Sequence, residues 1–104
     1  MHDLAERLAA ATGADPALDA ALAEAYHLPA AAYTASVEDA RALVAALLPD
    51  WRLHLGFGAT GMFPYAALSK GDERSEAEAP CLALAVVRAA VKIRLDGISV
   101  SDIG

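Results

Sequence analysis

The period of apolar positions changes along this chain, and each change predicts an element. After Ser36, apolar residues recur three and four positions apart, as on one face of a helix: Val37, Ala40, Leu43, Val44 and Leu47. After Pro49-Asp50 the period falls to two, which is typical of a half-buried strand: Trp51, Leu53, Leu55 and Phe57. From Pro80 to about Leu95 nearly every position is apolar, the pattern of a helix buried on two sides, or on one side plus a subunit contact. This order predicts an α+β fold in which about four helices pack a short antiparallel sheet.

Two shorter helices are predicted ahead of this unit. Asp3 and Glu6 have the spacing of a capping box, with Asp3 in place of the usual Ser or Thr. Asp15 followed by Pro16 opens a second helix, because the missing N–H of proline costs nothing at the first helical position. Neither apolar stripe is wide enough for a stable isolated helix, so we expect residues 1–26 to form a helical hairpin that docks on the rest.

The first strand is expected to fold back through a glycine-rich turn. Gly58–Gly61 provides that turn, and Met62–Ser69 is the partner strand. Pro64 has no N–H to donate, which indicates an edge position or a bulge. Lys70–Glu78 is predicted as a polar, mobile loop. The expected sheet is therefore a hairpin.

The end of the chain offers one more possible strand. Gly97 is predicted to end the last helix, and Ile98–Ser101 then alternates, so that it either forms a short strand along a free sheet edge or frays. No repeat or linker composition divides the chain. We therefore expect a single domain over residues 1–104, with three parts: a helical hairpin (1–26), a helix-strand-strand-helix unit (33–95) and a tail (96–104).

Composition and charge exclude several classes of partner. The formal net charge of −6, from 14 acidic and 8 basic residues, argues against direct binding of nucleic acid, which needs Lys and Arg at the phosphates. It also argues against docking on anionic membranes. About a quarter of the residues are alanine, which contributes little buried area. We therefore expect a core of modest depth that self-association could complete.

The single cysteine and the terminus indicate an intracellular protein. Cys81 lies in an apolar run and is predicted to be a small buried hydrophobe of the last helix rather than a reactive thiol. The first residues carry acids where a secretory signal needs bases. No uninterrupted apolar run approaches the roughly 20 residues of a membrane span.

Four stretches, taken in order, resemble the phage ABA sandwich domain family, small phage and prophage proteins found mainly in alphaproteobacteria. The matching stretches are Ala11–Asp19, Tyr33–Ala40, Leu48–Leu53 and Ala79–Ala85. The resemblance covers about Asp3 to Arg94, and it rests on the order and spacing of these stretches.

The resemblance implies a fold and a phage or prophage setting, in the cytoplasm of a bacterial host. The family has no established activity and no agreed catalytic residues, so none is carried over to this chain. Relatives usually place Thr or Ser before the proline that opens the last helix, where this chain has Ala79, which cannot cap. The tail after Gly97 is additional.

No pattern of a catalytic, metal or cofactor site stands out. His2, His27 and His54 lack the spacing of metal ligands. Gly56, Gly58 and Gly61 have neither the spacing nor the following helix of a dinucleotide-binding loop. We predict no enzyme activity, no cofactor and no small-molecule substrate.

An acidic cluster is the first candidate site: Asp72, Glu73, Glu76 and Glu78. A solvated loop with carboxylates at a helix start explains it simply. The alternative is a mimic of nucleic-acid phosphates that occupies a basic groove on a host defence protein. Lys70 and Arg74 interrupt the cluster and weaken that interpretation.

Three aromatic residues form the second candidate site. Trp51 at the start of a strand belongs to the core in most proteins. If only one face of the sheet is covered, Phe63 or Tyr65 is exposed and marks a surface for a protein partner or a second copy.

These patterns favour a non-enzymatic protein that acts through protein–protein contacts with a partner or with itself, as a homodimer, and the resemblance implies that it is of phage type. The alternative is a phage-encoded inhibitor of a bacterial defence system, directed against restriction or CRISPR, that uses its acidic surface.

Overall fold

A computed structural model describes residues 2–57 and 63–103 of the chain. Within these residues the order is helix, helix, helix, three strands and a long helix. The elements are α1 (His2–Ala10), α2 (Pro16–Tyr26), α3 (Val37–Leu47), β1 (Arg52–Phe57), β2 (Pro64–Lys70), β3 (Glu73–Glu78) and α4 (Leu82–Ile103). The predicted turn at Gly58–Gly61 and the predicted first strand residue Met62 lie outside the described residues.

The predicted α+β class is confirmed. Among the described residues, four helices pack a three-stranded antiparallel sheet in the order β1-β2-β3. In β1 and β2, Arg52 lies opposite Ser69 and Phe57 opposite Pro64; in β2 and β3, Tyr65 lies opposite Glu78. Each strand therefore pairs with its neighbour in the chain, and β1 and β3 are the two edges.

Two of the predicted helix starts are confirmed in atomic detail. The Asp15 side chain accepts a hydrogen bond from the Leu18 N–H (3.1 Å), and the Ser36 hydroxyl accepts one from the Asp39 N–H (3.2 Å). Each bond satisfies one of the N–H groups that the first turn of a helix leaves without an internal partner. At the front of the chain, in contrast, Asp3 lies inside α1 instead of capping it.

The prediction of a loop over Lys70–Glu78 was wrong, because Glu73–Glu78 forms β3. A two-residue turn of Gly71 and Asp72 joins β2 to β3, and Gly71 has a φ of +61° as its first residue, the position of glycine in a type II′ hairpin turn. β3 has no β-branched or aromatic residue, so its propensity for strand is low. Pairing with β2 and burial of Ser75 beneath α4 hold it in the sheet.

The end of the chain also differs from the prediction. Helix α4 continues through Gly97 to Ile103, so that glycine does not end it and Ile98–Ser101 is helix rather than an edge strand. One glycine inside a helix costs only about 1 kcal/mol relative to alanine. It ends a helix only where the backbone turns left-handed. Since Glu76 and Glu78 belong to β3, they are not helix-start residues either.

Helix α4 is the centre of the core, as its nearly continuous apolar pattern predicted. It packs on β2 and β3 with one side and on α3 with another, and α1 contacts it as well. Its buried residues are Ala83, Leu84, Ala85, Val86, Val87, Ala89, Ala90 and Val91. The alanines allow the neighbouring backbones to approach closely: the Ser75 hydroxyl donates directly to the Ala89 carbonyl (3.2 Å). Small residues thus allow α4 to pack closely against the sheet on one side and against α3 on another.

The β2–β3 turn gives a first test of this fold. Because a side chain at the left-handed Gly71 position is strained, Gly71→Ala should lower the free energy of unfolding by about 1 kcal/mol, as measured by urea denaturation. Asp72→Ala is the matched control, since Asp72 has a negative φ, and it should change stability by less than about 0.5 kcal/mol. Equal losses from the two variants would contradict the turn geometry.

Candidate functional site

One face of the sheet is covered by α4 and the other faces away from the helices. Leu68 and Ser75 lie opposite each other on the covered face, and both are buried. The open face consists of three cross-strand rows. The rows are Arg52-Ser69-Arg74, His54-Ala67-Glu76 and Gly56-Tyr65-Glu78. The sequence analysis predicted an exposed aromatic residue if only one face of the sheet is covered, and the helices cover only one face.

Tyr65, a predicted binding residue, lies along this open face. Its ring crosses Gly56 so closely that a Cβ built on Gly56 would lie 2.9 Å from Tyr65 Cε1. The ring therefore fills the space left by the missing side chain on β1, as aromatic residues do beside glycines in sheets. Tyr65 is therefore half-buried against its own sheet, and its role is partly structural.

Trp51, the second predicted residue, packs against the core. It is half-buried beside the cluster of core residues, and its backbone N–H donates to the Leu48 carbonyl (3.1 Å). It links the end of α3 to the start of β1. The interpretation of Trp51 as a core residue therefore agrees with its position.

Phe63, the third predicted residue, is exposed, and it has an unpredicted neighbour. Phe57 is 72% exposed and Phe63 is 42% exposed; they are the large apolar side chains that stand out into solvent among the described residues. Phe57 lies opposite Pro64, next to Phe63 in sequence, so both belong to the same end of the β1–β2 hairpin. We call Phe57 and Phe63 the aromatic end.

The alternation from Trp51 predicted Phe57 on the buried side of the strand, and that prediction was wrong. Helix α4 packs mainly on β2 and β3. Leu53 and Leu55 are half-buried beside the core. Phe57 lies two residues further along β1, beyond the part of the strand that packs against the core. A period of two identifies which residues share a face, but not how far along the strand that face is covered.

The acidic residues are not gathered on one surface. Glu76 and Glu78 are exposed on the open face, Glu73 has the opposite orientation, and Asp72 lies in the turn. The Arg74 Nε donates to Glu76 Oε1 (2.7 Å), and its Nη2 forms an ion pair with the same oxygen. The negative charge on β3 is therefore partly neutralised by Arg74 of the same strand.

The edge of β3 is closed by two cations of α4. Arg88 Nη1 donates to the Glu78 carbonyl (2.8 Å), and Lys92 Nζ contacts the Glu76 carbonyl (3.4 Å). The same guanidinium holds the end of α1 through the carbonyls of Leu8 (2.8 Å), Ala9 (3.1 Å) and Ala11 (2.7 Å). Arg88 thus ties α1, β3 and α4 together.

A buried polar cluster holds the connection between α2 and α3. Thr34 is fully buried, and its N–H (2.8 Å) and hydroxyl (2.7 Å) both donate to Asp19 Oδ1. Nearby, the Tyr33 hydroxyl donates to the Pro29 carbonyl (2.5 Å). Burial raises the pKa of Tyr33, and the carboxylates of Asp39 and Asp19 raise it further. The sequence pattern did not reveal this cluster.

Cys81 differs from the prediction of a buried helical residue. It is half-buried, lies just before α4, and its carbonyl accepts the Ala85 N–H (3.1 Å). Its Sγ lies 3.4 Å from the Thr34 carbonyl. These bonds place Cys81 at the start of the helix, where Ala79 cannot cap.

The cavities found among the described residues do not assemble a reactive centre. A groove of about 360 Å³ lies between α1, β3 and α4, and its lining is largely apolar apart from the edge cations Arg88 and Lys92 and the glutamates of β3. No three His, Cys, Asp or Glu side chains converge on a possible metal position in the part of the chain that the structure describes. None of its described helices has the length and apolarity needed to cross a lipid bilayer.

No protein-family model matches this chain, and neither the curated proteins nor the solved structures contain one with significant similarity to it.

Proposed function

We propose that this protein is a non-enzymatic protein-binding module and that the β1–β2 hairpin is its contact surface. The aromatic end carries the proposal. Exposed phenylalanines are unfavourable in water unless a partner covers them, and aromatic residues are enriched in the buried centres of interfaces. Phe57 and Phe63 meet that description at one end of one hairpin.

The charge distribution supports the same surface. Residues 51–71 contain no Asp or Glu, although the chain has 14 acidic residues. Only Arg52 and Lys70 carry a permanent charge there, and both lie at the end of the hairpin away from Phe57. Covering the aromatic end with a partner would therefore desolvate few charges, and loss of charge hydration is a principal cost of association.

The resemblance to the phage ABA sandwich domain family supplies the setting of the proposal. It implies that the module belongs to a phage or prophage and meets its partner, or a second copy, in the cytoplasm of a bacterial host. The Trp51 region that contributes to the resemblance leads directly into β1, the first strand of the proposed surface.

The inhibitor of a host defence system remains the second proposal, because Glu76 and Glu78 stand exposed on the same side of β3. Their alternate positions put them about 7 Å apart along the strand. Arg74 neutralises one of them, however, and Arg52 and His54 share their face. The hairpin is therefore the better supported surface.

Photocrosslinking tests the module directly. The protein is expressed in the bacterium that carries its gene, with a benzophenone amino acid in place of Phe57 or Phe63. The same probe in place of exposed Arg41 on α3 is the matched control. We expect a crosslinked protein adduct from positions 57 and 63 and none from position 41. Circular dichroism of each variant checks that the helices are retained. Absence of adducts from both hairpin positions would contradict the proposal.

The same experiment separates the two proposals. Reversal of Glu73, Glu76 and Glu78 to lysine should leave the hairpin adducts unchanged if the aromatic end is the contact. Loss of the adducts on charge reversal would instead favour the acidic inhibitor.

A further inference from the structure

The outer edge of β1 presents backbone groups that no described strand pairs. Because the Ala79 N–H donates to the Pro64 carbonyl (3.3 Å), the even-numbered residues of β2 direct their backbone groups to β3. Those of the odd-numbered residues therefore face β1. On β1 this pairing uses Arg52, His54 and Gly56, so the N–H and C=O groups of Leu53, Leu55 and Phe57 point away from the sheet.

The two edges of the sheet differ in how they are protected. Natural proteins protect strand edges with charges or with a covering element. Arg88 and Lys92 do so at β3. β1 has apolar side chains at all three positions whose backbone groups are unpaired, two half-buried and one exposed. An additional strand would therefore join at β1.

We propose that the occupant of this edge is β1 of a second copy, paired antiparallel about a two-fold axis at Leu55. This inference rests on the proposed function and names the partner of its contact surface. The two sheets join into one continuous six-stranded sheet, and Phe57 of each copy lies against Leu53 of the other.

The sequence of β1 is complementary to itself in this register. Leu55 faces Leu55 of the second copy, Leu53 faces Phe57, and His54 faces Gly56. All apolar side chains therefore fall on one face, and no two like charges stand opposite each other, an arrangement that favours cross-strand pairing. In this register Leu53, Leu55 and Phe57 all face one another, whereas a shift by two residues would set Leu53 or Phe57 opposite a residue outside β1.

The facing part of β1 contains no carboxylate that would oppose this contact. The carboxylates within the strands lie on β3, with β2 between them and the β1 edge, and Asp50, just before β1, lies outside the facing residues 53–57. Each of the facing pairs Leu55–Leu55 and Leu53–Phe57 exchanges two backbone hydrogen bonds. The interface thus satisfies the unpaired edge without burying a charge.

Disulfide trapping tests the register. In a Cys81→Ser background, Leu55→Cys places two thiols on the axis with Cα atoms about 5.5 Å apart, within disulfide range. Leu53→Cys is the matched control, because its two copies lie about 14 Å apart along the strands. Mild oxidation should link the first variant into a dimer and leave the second unlinked. Equal linking of both, or linking of Leu53→Cys alone, would overturn the register.

Sedimentation of the intact chain tests the dimer itself and does not require a change at a half-buried position. The wild type should sediment at twice the 10.7 kDa of one chain. Phe57→Glu changes an exposed side chain and should raise the dimer dissociation constant about a hundredfold, since each dimer contains the Phe57–Leu53 contact twice and each contact is expected to give about tenfold. Arg41→Glu on α3 should leave it unchanged.

The outcomes separate this inference from the proposed function. A wild type that is monomeric in sedimentation but crosslinks through position 57 to a different protein would overturn the dimer and uphold the module. A monomer with no adduct would overturn both. A dimer that Phe57→Glu leaves intact would show that the copies meet elsewhere.

Discussion

Arg88→Ala is expected to lower the free energy of unfolding by about 4 kcal/mol, the largest loss from one exchange outside the apolar core. Its guanidinium donates to the carbonyls of Leu8 and Ala9 in α1, to that of Ala11 just after this helix, and to that of Glu78 in β3. Hydrogen bonds from a charged donor are stronger than neutral ones, and the truncation leaves several acceptors unpaired at once. The helix end and the sheet edge would then lose their common attachment to α4.

Urea denaturation monitored by circular dichroism measures this loss. Lys92→Ala, one turn further along α4, is the matched control: it removes one contact of 3.4 Å at an exposed side chain and should cost less than about 0.5 kcal/mol. Arg88→Lys should recover only part of the loss, because one ammonium group cannot reach carbonyls in four directions. A loss below about 1 kcal/mol for Arg88→Ala would show that water replaces these bonds.

Asp19→Ala is expected to lower the free energy of unfolding by about 3 kcal/mol, because it leaves a buried N–H without an acceptor and leaves a buried hydroxyl only the more distant Asp15 carbonyl, 3.4 Å away. Both groups belong to Thr34, which is fully buried and donates to Asp19 Oδ1 at 2.8 Å and 2.7 Å. The Thr34 carbonyl in turn lies 3.4 Å from Cys81 Sγ. Loss of this cluster should therefore also loosen the start of α4.

Thermal and urea unfolding of matched variants test the cluster. Glu24→Ala exchanges an exposed carboxylate on the same helix and should change stability by less than about 0.5 kcal/mol. Asp19→Asn keeps an oxygen acceptor at the same place and should lose less than Asp19→Ala. If Asp19→Ala and Glu24→Ala lose the same small amount, the buried acceptor has no special role.

Local signals predicted most of the helical framework. The caps at Asp15 and Ser36 act within three residues of themselves, so their effect can be deduced without knowing the rest of the fold. β3 could not be predicted in this way. Arg74, Glu76 and Glu78 look like a solvated loop, and only the neighbouring β2 and the overlying α4 turn that stretch into a strand.

The candidate surface was predicted only in part. Phe63 is exposed, as predicted for a sheet with one open face. Trp51 instead packs on the core, and Tyr65 lies across Gly56. Phe57, the most exposed aromatic residue described, was missed because its position in the alternation matches that of a buried residue. The signal that could have revealed it is the absence of carboxylates over residues 51–71.

Periodicity and capping by themselves determined the α+β class, the helices that begin after Asp15 and Ser36, and the buried character of α4, because these depend on interactions a few residues apart. The tertiary structure alone decided that Glu73–Glu78 is a strand, that Arg88 joins three elements, and that β1 has the open edge. Each of these depends on which distant segment lies alongside, and on how far α4 extends over the sheet. A local pattern contains neither quantity.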